Sequence, residues 1–401
     1  MTTTINNKHK KLNVPNLRFP EFQGEWEKCK LSEICTFFSG GTPSSSNKDF
    51  YGGNIAFIRS GELHADSTEL FITQAGFDSS SAKMVEVGDL LLAMYGATSG
   101  DIAVSKIKGA INQAILCIRT KQNKKFIESV WNKHVSKNLR KYLQGGQGNL
   151  SADIVKGISF FFPTLKEQEK IANLVYLLDE RIATQNKIID KLQSLIKGLN
   201  DFLYTQYGGE VLTSFTELGT SYSGLSGKSA QDFGSGKPFI TYLNVYSNNV
   251  IKENDFQYVA IKEDEKQNVV KYGDVLFTLS SETPEEVGVG SVYLGKEKVY
   301  LNSFCFGIHI TNTEVAFSPY LSYYVSLTAF RKFIYPYAQG STRFNLCKAD
   351  FEKASIKLPT LADQKRIYSV LGHIDCKIET ERQMLNLYNS QKQYLLRQMF
   401  I

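Results

Sequence analysis

The sequence predicts a mixed α/β (α+β) chain: two similar domains separated by a long antiparallel two-helix coiled coil, with a pseudo-two-fold internal repeat. Three observations carry that expectation. The first is the repeat itself. Pro163-Thr164-Leu165, then Gln168, Ile171, Asp179 and Ile182, recur as Pro359-Thr360-Leu361, then Gln364, Ile367, Asp375 and Ile378, each at an offset of 196. Earlier matches keep the same order: Glu33 with Glu217, Ser39-Gly40 with Ser223-Gly224, Phe57-Ile58 with Phe239-Ile240, Gly88-Asp89 with Gly273-Asp274, and Asn112 with Asn302. Ordered identities at a nearly fixed period are what a duplicated domain leaves behind. The second observation is a change from strand-like to helical periodicity inside each half, and the third is a long apolar seam closing each half.

Taken in order, residues 1–15 form a polar tail with Lys8, Lys10 and Lys11, and no apolar signal-peptide core follows it. Residues 16–165 form the first domain. Its short apolar runs Asn54–Arg59, Asp89–Tyr95 and Ile111–Ile118, bounded by Gly, Ser, Asn and Asp, predict strands, and Lys125–Leu143 predicts a helix. Residues 166–207 form a spacer helix whose seam runs Ile171, Leu174, Leu178, Ile182, Gln185, Ile189, Leu192, Ile196, Leu199 and Leu203. Residues 208–361 repeat the domain, with strands expected at Pro238–Val245, Asp274–Leu279 and Phe304–Ile310 and a helix at Pro319–Tyr335. Residues 362–401 form the second spacer helix, on Ile367, Leu371, Ile374, Ile378, Glu381, Leu385, Tyr388, Lys392, Leu395 and Met399. Spacings of 3 and 4 over about four heptads suit a coiled coil. A helix of about 37 residues spans roughly 55 Å, more than one compact domain covers. The two seams are therefore expected to pack on each other and to hold the domains apart.

Composition bounds the function. A length of 401 residues with 42% hydrophobic and 21% charged residues describes a folded globular chain of two or three domains. The balance of 46 Lys+Arg against 40 Asp+Glu permits a polyanionic partner without requiring one. Cys29, Cys35, Cys117, Cys305, Cys347 and Cys376 form no CxxC pair, and the five histidines are scattered, which argues against zinc or a disulfide framework and for the cytoplasm. No apolar run is long enough to span a membrane. Phosphate-loop, nucleophile-elbow and HExxH signatures are absent, as is any Pro-Pro for an amino-methyltransferase loop. Asp264-Glu265-Lys266 with Asp255 mimics an acidic nuclease motif but lies in a polar stretch that reads as solvated.

Charge is concentrated instead. From Arg119 to Lys141 there are eight basic residues and one acid. Helical geometry puts Lys133, Lys137, Arg140 and Lys141 on one face and Trp131, Val135, Leu139 and Tyr142 on the other. Such a stripe is either a solvated face or a phosphate contact. It runs into Gln144-Gly145-Gly146-Gln147-Gly148-Asn149, whose amides suit adenine edges; the second half answers with Arg331-Lys332 and then Gln339-Gly340-Ser341-Thr342-Arg343-Phe344-Asn345, whose arginine suits guanine.

The chain resembles the specificity (S) subunit of type I restriction-modification systems. The residues that carry the resemblance are Gly40-Gly41-Thr42-Pro43, Gly52-Gly53, Phe57-Ile58-Arg59-Ser60-Gly61-Glu62, Gly88-Asp89-Leu90-Leu91, Tyr95-Gly96-Ala97-Thr98-Ser99-Gly100, Ile111-Asn112-Gln113-Ala114 and the Pro-Thr-Leu segment heading each long helix. The second half departs from the pattern: Leu279-Ser280-Ser281 stands where Tyr95-Gly96 would be, and the Gly-Thr-Pro element is missing. The resemblance implies two target-recognition domains, each reading half of a split, asymmetric DNA site, and helices that set the gap and dock two methyltransferase subunits. Restriction subunits would join the same host-defence assembly. S-adenosylmethionine, ATP and Mg would belong to these partners, with no cofactor, metal or catalytic residue in this chain. DNA contacts are expected from Arg59, Tyr95, Thr98, Asn112, Gln144, Gln147 and Asn149 in the first domain. In the second they are expected from Tyr242, Asn244, Ser280, Arg343, Asn345 and Lys348, with Lys133, Lys137, Arg140 and Lys141 on phosphates. Other classes stay open: a stand-alone sequence-specific DNA-binding protein, which would bind tightly without helpers; a single-chain nuclease, which would cleave DNA in a metal-dependent way; and a protein-interaction scaffold, which would lack the salt dependence of phosphate contacts.

Overall fold

The computed structural model describes residues 12–142 and 150–401, the side chains of 136–142 excepted. It divides into two compact units: residues up to Asn186 together with Gln383–Ile401, and Lys187–Arg382. In the first unit an antiparallel sheet runs in the order Cys35–Ser39, Ile115–Thr120, Leu90–Ala93, Ile102–Val104. In the second, Gly219–Ser223, Cys305–Ile310, Val275–Thr278 and Gly290–Val292 follow the same order. The central strands are buried on both faces, and strand alternation divides them between two cores. Leu90 and Leu92 join one apolar cluster and Leu91 and Ala93 another, as Val275 and Phe277 separate from Leu276. A second sheet pairs Tyr51–Ile58 in parallel with Gly109–Ile111, and its repeat pairs Phe233–Ile240 with Tyr300–Leu301.

The repeated residues hold equivalent places. A Cβ on Gly40 would lie 1.8 Å from the Ile111 carbonyl oxygen, and one on Gly224 would lie 2.0 Å from that of Asn302, so neither crossing tolerates a side chain. Asp89 accepts hydrogen bonds from Arg119 (2.8 Å) and from the Glu86 N–H (3.1 Å). Its counterpart Asp274 accepts from Tyr222 Oη (2.6 Å) and the Lys271 N–H (2.8 Å), with His309 Nδ1 at 2.8 Å. The partners differ, but the position does the same work: a buried carboxylate ties the sheet to the turn before it.

The long helices are Leu165–Tyr207, 43 residues, and Leu361–Met399, 39 residues. Each is pinned to its domain by a buried glutamine. Gln168 donates to the Pro163 carbonyl (2.9 Å) and to Gln122 (2.8 Å) and accepts from the Asn123 N–H (3.1 Å). Gln364 donates to the Pro359 and Val315 carbonyls (2.9 and 2.8 Å) and accepts from the Phe317 N–H (2.8 Å). Every seam residue named above is buried or half-buried. In the first unit the start of one helix meets the end of the other in antiparallel sense: Lys392 pairs with Asp179 at 2.5 Å, and Arg181 lies over the Tyr388 ring at 5.1 Å. Leu396, Met399 and Phe400 enter the same core as Trp26 and Ile171. In the second unit Ile196, Leu199 and Leu203 pack on a core containing Ile367 and Leu371.

Three local expectations are corrected. Ile111–Ile118 is two strands with a turn at Asn112, not one. The strand expected over Pro238–Val245 ends at Ile240, because the Thr241 side chain caps a short helix, Tyr242–Ser247. The helix expected at Pro319–Tyr335 breaks into Ser318–Tyr324 and Thr328–Ile334. The long helix supplies the reason: Asn200 Nδ2 donates to the Tyr323 carbonyl and Asp201 accepts from the Thr328 N–H, taking backbone groups a continuous helix would have used itself.

Candidate nucleic-acid interface

Each unit brings four chain segments together beside its main sheet, joined by the same backbone lattice. In the first unit Asn112 donates to the Ile58 carbonyl (3.2 Å), Met94 to Ala114 (2.8 Å) and Leu150 to Met94 (2.8 Å). In the second, Asn302 donates to Ile240 (3.0 Å), Leu279 to Phe304 (2.8 Å) and Leu346 to Leu279 (2.8 Å). Asn112 and Asn302 explain their own recurrence: the Oδ1 of each accepts from the N–H two residues on, Ala114 at 3.2 Å and Phe304 at 2.9 Å. The repeat thus fixes the scaffold, and the side chains mounted on it vary.

In the first unit this lattice brings the segments of Arg59, Tyr95, Thr98 and Asn112 together. Tyr95 is exposed at the end of its strand. Thr98 sits in the tight turn Gly96–Thr98, entered through Gly96 at a φ of 76°. Arg59 is half-exposed, and its guanidinium is held by Glu62 at 2.8 Å. In the second unit Tyr242, Ser280 and Arg343 line one concavity of about 790 Å³. Tyr242 Oη donates to the Ser280 carbonyl at 2.8 Å, which fixes one wall. Asn345 is exposed on the adjoining strand, paired through its backbone with Ser280 and Gln339.

Other expected contacts are engaged elsewhere. Asn244 is buried, its Nδ2 donating to the Lys252 carbonyl (2.8 Å) and its Oδ1 accepting from the Lys252 N–H (3.1 Å), so both ends of the amide serve the fold. Lys348 lies over the Phe306 ring at 4.9 Å and 3.6 Å from Glu352. Much of the basic stretch is also turned inward. Arg119 pairs with Asp89, and Lys125 pairs with Glu128 (2.7 Å) and Asp179 (2.8 Å). Lys133 donates to the Phe400 and Arg397 carbonyls at the end of the last helix, where a cation meets the negative pole of the helix dipole. Its ammonium is therefore occupied where a phosphate contact was expected. Lys137, Arg140 and Lys141 belong to the helix Lys124–Tyr142, but their side chains, and the whole of Gln144, Gln147 and Asn149, lie outside the described residues.

Sequence reading missed Leu243, Glu282 and Phe304, which line the second-unit concavity. Leu243 and Phe304 are 68% and 54% exposed, unusual for large apolar side chains at one site. A signal existed: aligning the halves sets Phe304 against Ala114 and Glu282 against Ala97. Asp264 and Glu265 form no metal centre. Glu265 pairs with Lys228, and among the described residues no group of three or more His, Cys, Asp or Glu could hold a metal ion.

A family model described as the type I restriction modification DNA specificity domain matches residues 23–194 and again 223–387. The chain belongs to this family. Its two halves are two DNA specificity domains in one polypeptide. It is 26% identical over 422 residues to the subunit assigned as the MjaX type I restriction enzyme specificity subunit of Methanocaldococcus jannaschii, covering 93% of this chain and 92% of that one. The type I restriction-modification S subunit from M. genitalium shares the fold at a TM-score of 0.57 and 13% identity, across 97% of this chain and 99% of its own. A chain solved in work on complex assembly and conformational transition of the type I restriction-modification system matches at 0.58 and 16% identity, across 92% and 96%. This specificity chain therefore shares its family's fold, and among the described residues no helix is long and apolar enough to cross a membrane.

Proposed function

We propose that each domain, residues 16–165 and 208–361, reads one half of a bipartite, asymmetric DNA site, and that the long helices set the gap between the halves. The twin backbone lattice carries this reading: one scaffold, duplicated, presents Arg59, Tyr95 and Thr98 in one copy and Tyr242, Arg343 and Asn345 in the other, where Ser280 is buried and lines the concavity. Two readers with different side chains make an asymmetric site. Lys137, Arg140 and Lys141 supply phosphate contacts, and Gln144, Gln147 and Asn149 base contacts. Asn112 keeps its Nδ2 for DNA, while Lys133, Asn244 and Lys348 serve the fold.

The helices also dock two methyltransferase subunits, which carry S-adenosylmethionine, and restriction subunits with ATP and Mg complete a cytoplasmic assembly. This chain contributes recognition and no reacting group. The experiment is methylated-base mapping with the full chain and its cognate methyltransferase subunits. Exchanging residues 208–361 for the equivalent domain of another specificity subunit should replace one half-site and leave the other half and the gap intact. Tight, specific binding by the purified chain alone would favour a stand-alone DNA-binding protein instead.

A further inference from the structure

Among the described residues, two charged side chains of the second-unit concavity have neither an ion pair nor a hydrogen bond. Arg343 stands over the exposed Phe304 ring, its guanidinium 5.7 Å from the ring centroid, and makes no ion pair or hydrogen bond among the described residues. Of the two carboxylates lining the same space, Glu286 is occupied: Tyr246 Oη (2.7 Å) and Ser281 Oγ (2.8 Å) both donate to it. Glu282 is exposed and, among the described residues, has no such donor. A free carboxylate on a surface that meets phosphodiesters weakens binding unless it accepts from a base. Aromatic stacking orients the arginine fork without using its N–H groups. A donor and an acceptor lining one concavity match one base pair: guanine presents O6 and N7 acceptors in the major groove, and its cytosine presents the N4 amino donor.

We propose that Arg343 and Glu282 together read one G·C pair in the half-site of the second domain, Arg343 donating to guanine and Glu282 accepting from the cytosine N4 amino group. Ala97 and Ala114 stand where the first domain would need Glu282 and Phe304, so this reader belongs to one domain only. The assignment rests on the bipartite reading above. Its test is base-resolved methylation mapping with the assembled complex carrying R343A, R343K or E282A. Arg343→Ala and Glu282→Ala should each relax the same single position, lowering discrimination there about 10- to 100-fold, while the first half-site stays unchanged as an internal control for folding. Arg343→Lys should lose that discrimination yet keep the salt dependence of binding, since it keeps the charge and loses the fork. Relaxation at different positions, an unchanged site, or a uniform loss across both half-sites overturns the assignment while leaving the bipartite reading intact. If the wild-type complex methylates no two-part site, both fall.

Discussion

At the scale of single residues, the recurring positions are structural anchors, Asn112 being the one also proposed to reach DNA, and most of the candidate readers are positions that differ. Asp89 illustrates the first group. Burial pushes its carboxyl up, but hydrogen bonds from Arg119 and the Glu86 N–H and the charges of Arg119 and Lys124 outweigh burial and hold it below the usual carboxylate range. A carboxyl depressed in the folded state stabilises fully above its unfolded value, about 3.9, and that contribution is lost as pH falls through the folded value. Asp89→Asn should therefore cost about 1–3 kcal/mol at neutral pH and unfold with a shallower dependence on acid than the wild type. Urea titrations between about pH 7 and pH 3 measure both, and parallel acid limbs for the two proteins would contradict the role. Identity alone marked Asp89, Gln168, Asp179 and their partners 196 or 185 residues on as important, because duplication preserved them. It did not say for what. Asn244 shows why: a polar side chain near a strand end looks the same in sequence whether its amide is open to a partner or, as here, bonded at both ends to the backbone of Lys252, and only tertiary neighbours decide.

At the scale of elements, periodicity was the legible signal. Both long helices were visible from their seams, because 3–4 spacing over many turns has few other readings. The broken helix after Ser318 was not, since Asn200 and Asp201, which interrupt it, lie more than a hundred residues away in sequence. The antiparallel contact of Asp179 with Lys392 and Arg181 with Tyr388 also sets how a ruler could be lengthened. Adding residues to one helix alone would shift these pairs. A heptad inserted after Ala183 and a second after Leu387 keeps both seams in phase and extends the spacer by about 10 Å, close to three base pairs. The lengthened chain, assembled with methyltransferase subunits, should methylate sites with unchanged halves and a gap about three base pairs longer. Altered half-sites with an unchanged gap would refute the helices as the ruler.

At the scale of the whole molecule, a formal charge of +6 said little about a partner, and the reason lies in where the charges point. The basic stretch Arg119–Lys141 is the largest local excess, yet Arg119, Lys124, Lys125 and Lys133 bond within the first unit. Net charge counts such groups as free when they are already neutralised or desolvated, so it overstates what DNA can meet. Lys137, Arg140 and Lys141 are the members proposed to act on phosphates. Neutralising Z phosphates makes log K fall with log salt at a slope of about −0.9Z. Replacing all three with alanine should therefore flatten the slope for the assembled complex by up to about 2.7 and weaken cognate and non-cognate DNA alike, leaving the methylated sequence unchanged. Replacing Lys124 and Lys125 should leave the slope where it is and lower stability instead, because their partners are Asp89, Glu128 and Asp179. Fluorescence titrations across a salt series separate the two outcomes: equal slopes for the wild type and the triple variant would remove the helix Lys124–Tyr142 from the DNA interface.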